Sequence, residues 1–228
     1  MISNRLKMVA DYVENCDFLA DIGSDHGYIP IYLFKKGIIK RGAACDISEG
    51  SVLKAKLNII EAGCQDYIEA RCKAGLKAVY DNENPDTIIM SGMGGMLMID
   101  IMKDDIEVLY RSKRIILQPQ RDIETVRRYI HSIGFKIIEE NMIFEYGKYY
   151  NVIVCEKGID VKYTKTEYMF GKILISRKNK YLKQYIHIEV NKIYNIISRL
   201  NSKDNHIAKR RKHFEDMSEL YEEVLECL

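Results

Sequence analysis

Apolar residues follow two different rhythms along this chain. Short, nearly continuous apolar runs occur at 18–22, 43–45, 87–90 and 114–117. Between them, apolar positions recur every three or four residues. The runs read as strands buried on both faces, and the spaced segments as amphipathic helices. Residues 3–13 form the first predicted helix, with Leu6, Val9, Ala10 and Val13 on one face and Ser3 as its N-cap. Later helices are predicted over 28–36, stopped at Gly37, and over 48–62, stopped at Gly63. The second of these is expected to turn Val52, Leu53, Leu57 and Ile60 inward. A strand is predicted over 66–71. Another helix begins near Gly95, and a further one spans 122–132 with Ile123, Val126, Tyr129 and Ile130 inward.

The rhythm then changes twice. Residues 135–146 and 148–156 read as two strands around Gly147, a β-hairpin. From 163 onward the pattern is helical only. Leu182, Ile186, Ile193, Ile196 and Leu200 mark one seam, interrupted at Glu189. After a polar turn over 201–205, Phe214, Met217, Tyr221, Val224 and Leu228 mark a second. Both are too short for a long coiled coil and predict two helices packed antiparallel. Alternating strands and helices require a mostly parallel sheet that binds ligands at its carboxyl edge. The expected architecture is therefore α/β and Rossmann-like over 1–158, ending in one antiparallel hairpin strand, with a helical, coiled-coil-like arm over 159–228.

Composition narrows this without deciding it. In 228 residues, 47% hydrophobic and 30% charged content describes a soluble globular protein. No apolar run approaches membrane-spanning length, and the N-terminus has no secretory core, so no membrane partner is expected. Six cysteines without a Cys-x-x-Cys pair predict reduced thiols in a cytoplasmic protein and no metal. Charge is uneven. Residues 161–228 hold 14 Lys/Arg against 9 Asp/Glu, whereas the first 160 hold 21 against 24. A basic run is usually a solvated face, but beside a nucleotide-type site it points to nucleic acid.

That site is predicted at 18–30, Phe-Leu-Ala-Asp-Ile-Gly-Ser-Asp-His-Gly-Tyr-Ile-Pro. An apolar strand closes on Asp21, and a helix starts after a turn holding Gly23 and Gly27. Such a turn aims free helix N–H groups at whatever lies above it, and Gly23 lets a ligand rest on bare backbone. The dinucleotide fingerprint would put its second glycine at 25, where this chain has Asp25. That carboxylate repels a pyrophosphate and suits a cofactor bearing a sulfonium and an ammonium. Asp46 ends the next strand 23 residues after Gly23, near the spacing at which such folds place a carboxylate on ribose hydroxyls. An N-cap role competes for Asp46, with Ser48 as the rival cap. Three glycines at 92, 94 and 95 follow the fourth strand, where backbone must approach a ligand closely. The Asp21-x-Gly23-x-x-x-Gly27 turn with a terminal hairpin strand resembles the class I methyltransferases, and that resemblance implies a methyl donor rather than a nicotinamide.

Taken together, Ser3-x-Arg5-Leu6, the Asp21-Ile-Gly-Ser-Asp-His26 turn, Ser91-Gly-Met-Gly-Gly95 and Ile116-Leu-Gln-Pro119 resemble the TrmK family of bacterial tRNA (adenine(22)-N1)-methyltransferases. The resemblance covers residues 2–157 closely and the arm through its helical character. It implies S-adenosyl-L-methionine (SAM) as cofactor and tRNA as partner. The implied cofactor residues are Asp21, Gly23, Ser24, Asp25, His26, Asp46, Ile47, Gly75, Leu76, Gly92, Met93 and Gly94. Asp25 and His26 are the catalytic candidates: Asp25 for charge stabilisation, His26 to orient Asp25, to shuttle a proton, or simply to hold the loop. Substrate contacts are expected from Arg5, Lys7, Gln118, Pro119 and Gln120, and on the arm from Lys209, Arg210, Arg211 and Lys212. A monomer, or a weak dimer through the arm, is expected. The chain departs from the family at Gly27, Ser91, Ala74, Gln120 and Asn151. Ala74 removes an acidic cofactor contact. Two alternatives stay open: methylation of another acceptor, and a catalytically silent RNA-binding relative.

Overall fold

The alternation of strand and helix over the first 160 residues is present in the computed structural model, which describes residues 2–200 and 205–228. A short helix α1 (Asn4–Ala10) opens the chain, and the Ser3 hydroxyl accepts its Leu6 N–H at 3.3 Å. Strand β1 (Cys16–Ile22) leads into helix α2 (Tyr28–Lys35), and β2 (Ile39–Asp46) leads into α3 (Glu49–Glu61). Next come β3 (Ile68–Cys72) and a single 3-10 turn (Gly75–Ala78). Strand β4 (Thr87–Met93) precedes α4 (Gly95–Asp104) and α5 (Ile106–Arg111), and β5 (Arg114–Pro119) precedes α6 (Ile123–Ser132). The hairpin is β6 (Phe135–Glu145) and β7 (Lys148–Lys157). Its two turn residues, Tyr146 and Gly147, both have positive φ (49° and 77°), which matches the right-handed twist of the flanking strands.

Among the described residues, seven strands form one sheet in the order β3-β2-β1-β4-β5-β7-β6. Strand β1 pairs in parallel with β2 on one side and β4 on the other. The chain therefore reverses its direction of travel across the sheet at β1, and a crevice opens there above the carboxyl ends. The break with parallel order comes where the hairpin was expected: β7 runs antiparallel to β5. Ile88, Ile89 and Met90 of β4 and Ile115, Ile116 and Leu117 of β5 are fully buried, as continuous apolar runs require.

Two helix faces differ from the reading of the sequence. Helix α3 buries Ala55 and Ile59, while Leu53, Leu57 and Ile60 are 58%, 58% and 52% exposed. The largest apolar side chains suggested the wrong face. Small Ala55 permits close approach, and it packs with Ile59, Cys64 and Ile68 against Ala44 of β2. Helix α6 buries Val126 and Ile130 as expected, but also Arg127 in place of Tyr129. The Arg127 Nε lies 2.7 Å from Glu140 Oε1, and both side chains are fully buried. A charge inside is tolerable only with such a partner.

The described residues divide into two compact units. One runs to residue 140 and includes 150–161; the other comprises 141–149 and 162–228. The expected boundary is 158; in this division residues 141–149, the tip of the hairpin, group with the helices. Met142 belongs to the second unit's apolar core, and Tyr149 packs against it. That unit contains α7 (Lys165–Phe170), α8 (Lys172–Ser176), α9 (Lys180–Ile197) and α10 (Asn205–Cys227). A capping box at Thr164 and Glu167 starts α7. The seam of α9 is Leu182, Ile186, Val190 and Ile193, so Val190 takes the place that Glu189 seemed to interrupt. Tyr221 and Val224 of α10 complete the core, flanked by Phe214, Met217 and Leu228. Most of the expected polar turn, 201–204, lies outside the described residues.

Candidate active site

Two adjoining cavities lie at the carboxyl edge of the sheet. The first, of about 410 Å³, is lined by Gly23, Asp46, Ile47, Ala74, Gly75 and Leu76, by Ser91 to Met93, and by Leu97, Ile101, Asp104 and Asp105 of the α4–α5 region. The second, of about 350 Å³, is lined by Arg5, Leu6, Asp21, the turn from Gly23 to Ile29, Ser91, Gly92 and Gln120. They share Gly23, Ser91 and Gly92. The two cavities therefore adjoin at the ends of β1 and β4.

Local chemistry shapes that shared wall. The N–H groups of Gly23 and Ser24 both donate to the Cys45 carbonyl (2.8 and 2.9 Å), tying the turn after β1 to β2. Gly23 has φ 79°, and a Cβ built there would come within 2.6 Å of the Met93 Cε. A side chain at 23 is thus disfavoured by the backbone conformation, and its Cβ would displace the flexible tip of Met93. On β4 the pairing with β5 shifts register between Ser91 and Met93, a bulge centred on Gly92. The freed Gly92 N–H donates to the buried Gln118 Oε1 at 3.2 Å, and the Arg5 Nη1 donates to the same oxygen at 2.8 Å. The Arg5 guanidinium also lies 5.6 Å from the Tyr150 ring centroid.

Three carboxylates differ in environment. Asp21 is buried, and desolvation pushes its pKa up to about 6 against the opposing pull of a Ser24 hydrogen bond and the Arg5 charge. Asp25 is held below the ordinary aspartate range, chiefly by the Ser51 hydroxyl, which donates to its Oδ1 at 2.7 Å. The Asp25 Oδ2 faces His26 Nε2 at 3.0 Å, and Lys54 Nζ stands 3.7 Å from Oδ1. Asp46 accepts the Ser48 N–H at 2.8 Å, while the Ser48 hydroxyl caps α3 by accepting from Ser51. Asp46 therefore does not cap α3; one carboxyl oxygen is anchored and the side chain lines the first cavity.

Of the expected cofactor residues, Gly23, Asp46, Ile47, Gly75, Leu76, Gly92 and Met93 line the first cavity, and Asp21, Ser24, Asp25 and His26 line the second. Gly94 lines neither and precedes α4 as its N-cap. Arg5 and Gln120 reach the second cavity; Gln118 and Pro119 are buried in β5, with Gln118 acting through Arg5 and Gly92. Lys7 is exposed and lines neither cavity. Lys209, Arg210, Arg211 and Lys212 are exposed on α10 in the second unit. The sequence reading missed Tyr28, Leu97, Ile101, Asp104 and Asp105. A signal existed for Leu97 and Ile101: α4 buries Met98, Ile99 and Met102 yet carries further apolar residues outside that face, and a helix needs a reason for a second apolar face.

The first cavity fits a nucleoside carrying a positive charge. Ile47, Leu97 and Ile101 supply apolar walls, Asp46 a carboxylate at strand's end, and Gly23 a floor of bare backbone. Among the described residues no three His, Cys, Asp or Glu side chains are grouped to hold a metal ion, and no helix is long and apolar enough to cross a membrane.

Comparison with known proteins finds methyltransferases. Residues 2–153 match a methyltransferase domain family. A tRNA (adenine(22)-N(1))-methyltransferase of Bacillus subtilis is 31% identical over 99% of this chain and 97% of its own. A crystal structure from Streptococcus pneumoniae, described as a candidate tRNA (m1A22) methyltransferase, superposes with a TM-score of 0.93 at 31% identity, covering 99% of this chain and all of that one. The same S. pneumoniae protein in complex with SAM superposes with a TM-score of 0.89 at 31% identity, again over 99% of this chain and all of that one.

Proposed function

The chain belongs to the family of tRNA (adenine(22)-N(1))-methyltransferases, and on that premise we propose that it transfers the methyl group of SAM to N1 of adenosine 22 in tRNA. The observation that carries the reading is the pair of cavities sharing a wall at Gly23, Ser91 and Gly92. One has the walls of a nucleoside site and the other the room and polarity for a base. When bound, SAM supplies a methyl group on a positively charged sulfur, which the in-plane lone pair of adenine N1 takes without help from a strong base.

The protein's own work is to hold, orient and balance charge. In this proposal Asp46 accepts from the ribose hydroxyls, Gly23 and Gly92 let the donor lie against backbone, and Gly75 and Leu76 close the slot around the adenine. Alignment of two held reactants supplies most of the acceleration. The methylated base is first a cation, so the Asp21 and Asp25 carboxylates bordering the second cavity stabilise the charge as it builds. Arg5, fixed by Gln118, and Gln120 bound the acceptor side. His26 keeps Asp25 in place through their 3.0 Å contact.

The target base is paired or stacked in folded RNA and must be extruded, at a cost of a few kcal/mol that contacts elsewhere offset. The basic exposed face of α10 is where we place those contacts, as phosphate neutralisation read by shape. The proposal sets the enzyme in the cytoplasm with its tRNA, as a monomer or a weak dimer through the arm. Incubation with unmodified tRNA and labelled SAM, followed by mapping of the modified nucleotide, tests the reading. Label on N1 of adenosine 22, lost when that position is guanosine, is expected. Absence of label, or label elsewhere, overturns it; SAM binding by calorimetry without turnover would point to a silent relative.

A further inference from the structure

Tyr28 has no part in the scheme above, yet it borders the second cavity and is 43% exposed, a large aromatic ring at the first position of α2. Its ring lies parallel to that of His26, with centroids 4.9 Å apart and planes 10° from each other. The stack is braced from α3. His26 Nε2 meets Asp25 Oδ2 at 3.0 Å, Asp25 Oδ1 accepts from Ser51 at 2.7 Å, and the His26 carbonyl accepts from Asn58 Nδ2 at 2.9 Å. Among the described residues the Tyr28 hydroxyl makes no hydrogen bond, so what Tyr28 presents to the cavity is chiefly its ring.

We propose that Tyr28 is the platform on which the target adenine stacks once extruded into the second cavity, with His26 as the backing layer. The inference rests on the function proposed above and names the residue that holds the acceptor base. A base taken out of RNA loses its stacked neighbours, and an aromatic side chain restores that contact for any base. Because the hydrogen bonds to α3 already order the stack, docking a third ring on it costs little further freedom. The chemistry adds a second gain. The adenine ring becomes cationic as N1 takes the methyl group, and an aromatic face attracts a cation. The platform therefore holds the methylated ring more strongly than the neutral one, which is the condition for acceleration rather than mere binding.

Two variants of the full-length protein, Tyr28→Leu and Tyr28→Phe, test this. The expected result is a fall in kcat/KM for tRNA of about 10- to 100-fold in Y28L, the range of one base–aromatic stack. In Y28F kcat/KM stays within about threefold of the parent. Calorimetric SAM affinity stays unchanged in both variants, which also reports that they fold. A tRNA with 2-aminopurine at the target position should fluoresce more brightly bound to Y28L than to the parent protein, because the extruded base has lost its stacking partner. Parental kcat/KM in Y28L overturns the platform, as does SAM affinity falling in step with turnover, or Y28F as impaired as Y28L, or equal fluorescence in the two complexes. If the parent protein labels no adenosine 22, the function itself falls and the platform with it. If the parent labels it and Y28L does so equally well, the platform alone falls.

Discussion

Burial raises the pKa of Asp21 from an ordinary 3.8 to about 6 at the end of β1, so at neutral pH the fold carries a charge it would be more stable without. The sign follows from linkage. Below pH 3.8 both folded and unfolded chains hold the proton and nothing is lost. Between 3.8 and 6 the unfolded chain gives it up first, so stability falls as pH rises, and above 6 the full penalty of about 3 kcal/mol applies. Asp21→Asn should therefore raise the unfolding free energy at pH 7.5 by up to about that amount, with the gap closing toward pH 4, as urea titrations at the two pH values would read. The same variant should lose most turnover, since the ionised carboxylate is what the proposed site offers a cationic ring. Gly23 makes the opposite case, a position of no charge and no side chain. Gly23→Ala puts a Cβ at φ 79° and 2.6 Å from the Met93 Cε, and should weaken SAM binding by about tenfold or more in calorimetry while the protein stays folded.

Some contacts between helices and strands carry a large energetic consequence. Arg127 of α6 and Glu140 of β6 are buried against each other with 1% and 0% side-chain exposure. Removing one partner strands the other charge, which is worse than never having had the pair. Arg127→Ala should cost about 3–5 kcal/mol in chemical denaturation, whereas the double change to Met at 127 and Leu at 140 should recover much of it. Gly95 sets how near α4 comes to the segment after β5, since a Cβ there would lie 2.6 Å from the Arg121 carbonyl and 2.8 Å from Val126 Cγ2. That closeness was visible in the sequence as three glycines in four positions, although their partner was not. The inward face of α3 was not visible, because apolar size suggested Leu53 and Leu57 while the packing distance chose Ala55.

At the scale of the molecule, the cavities and the basic cluster fall in different units. The cavities belong to the first unit, and the densest cluster of bases to α10 of the second. Two of the four expected bases already have acidic neighbours one turn away: Arg211 with Glu215 at 2.8 Å and Lys212 with Asp216 at 3.8 Å. Lys209 and Arg210 make no ion pair among the described residues. Replacing all four by Ala should weaken tRNA binding by about tenfold and lower the slope of log K against log salt by about 2 rather than 4, with SAM affinity unchanged. An unaltered slope would assign the cluster to solubility.

Read alone, the sequence determined the periods and the punctuation. Continuous apolar runs between amphipathic segments pointed to a parallel sheet, the break at Gly147 to a hairpin, and the Asp21-to-His26 turn with Asp46 to the edge of the sheet where the two cavities lie. These are local properties, set by how each stretch must hide apolar atoms and satisfy its backbone. Only the tertiary structure decided which residues from distant stretches come together: Arg5 with Gln118, Asp25 and His26 with Ser51 and Asn58, Leu97 and Ile101 with Asp46. It also groups residues 141–149 with the helices of the second unit. Such partnerships depend on packing distance and on the order of strands across the sheet, which no single stretch of chain encodes by itself.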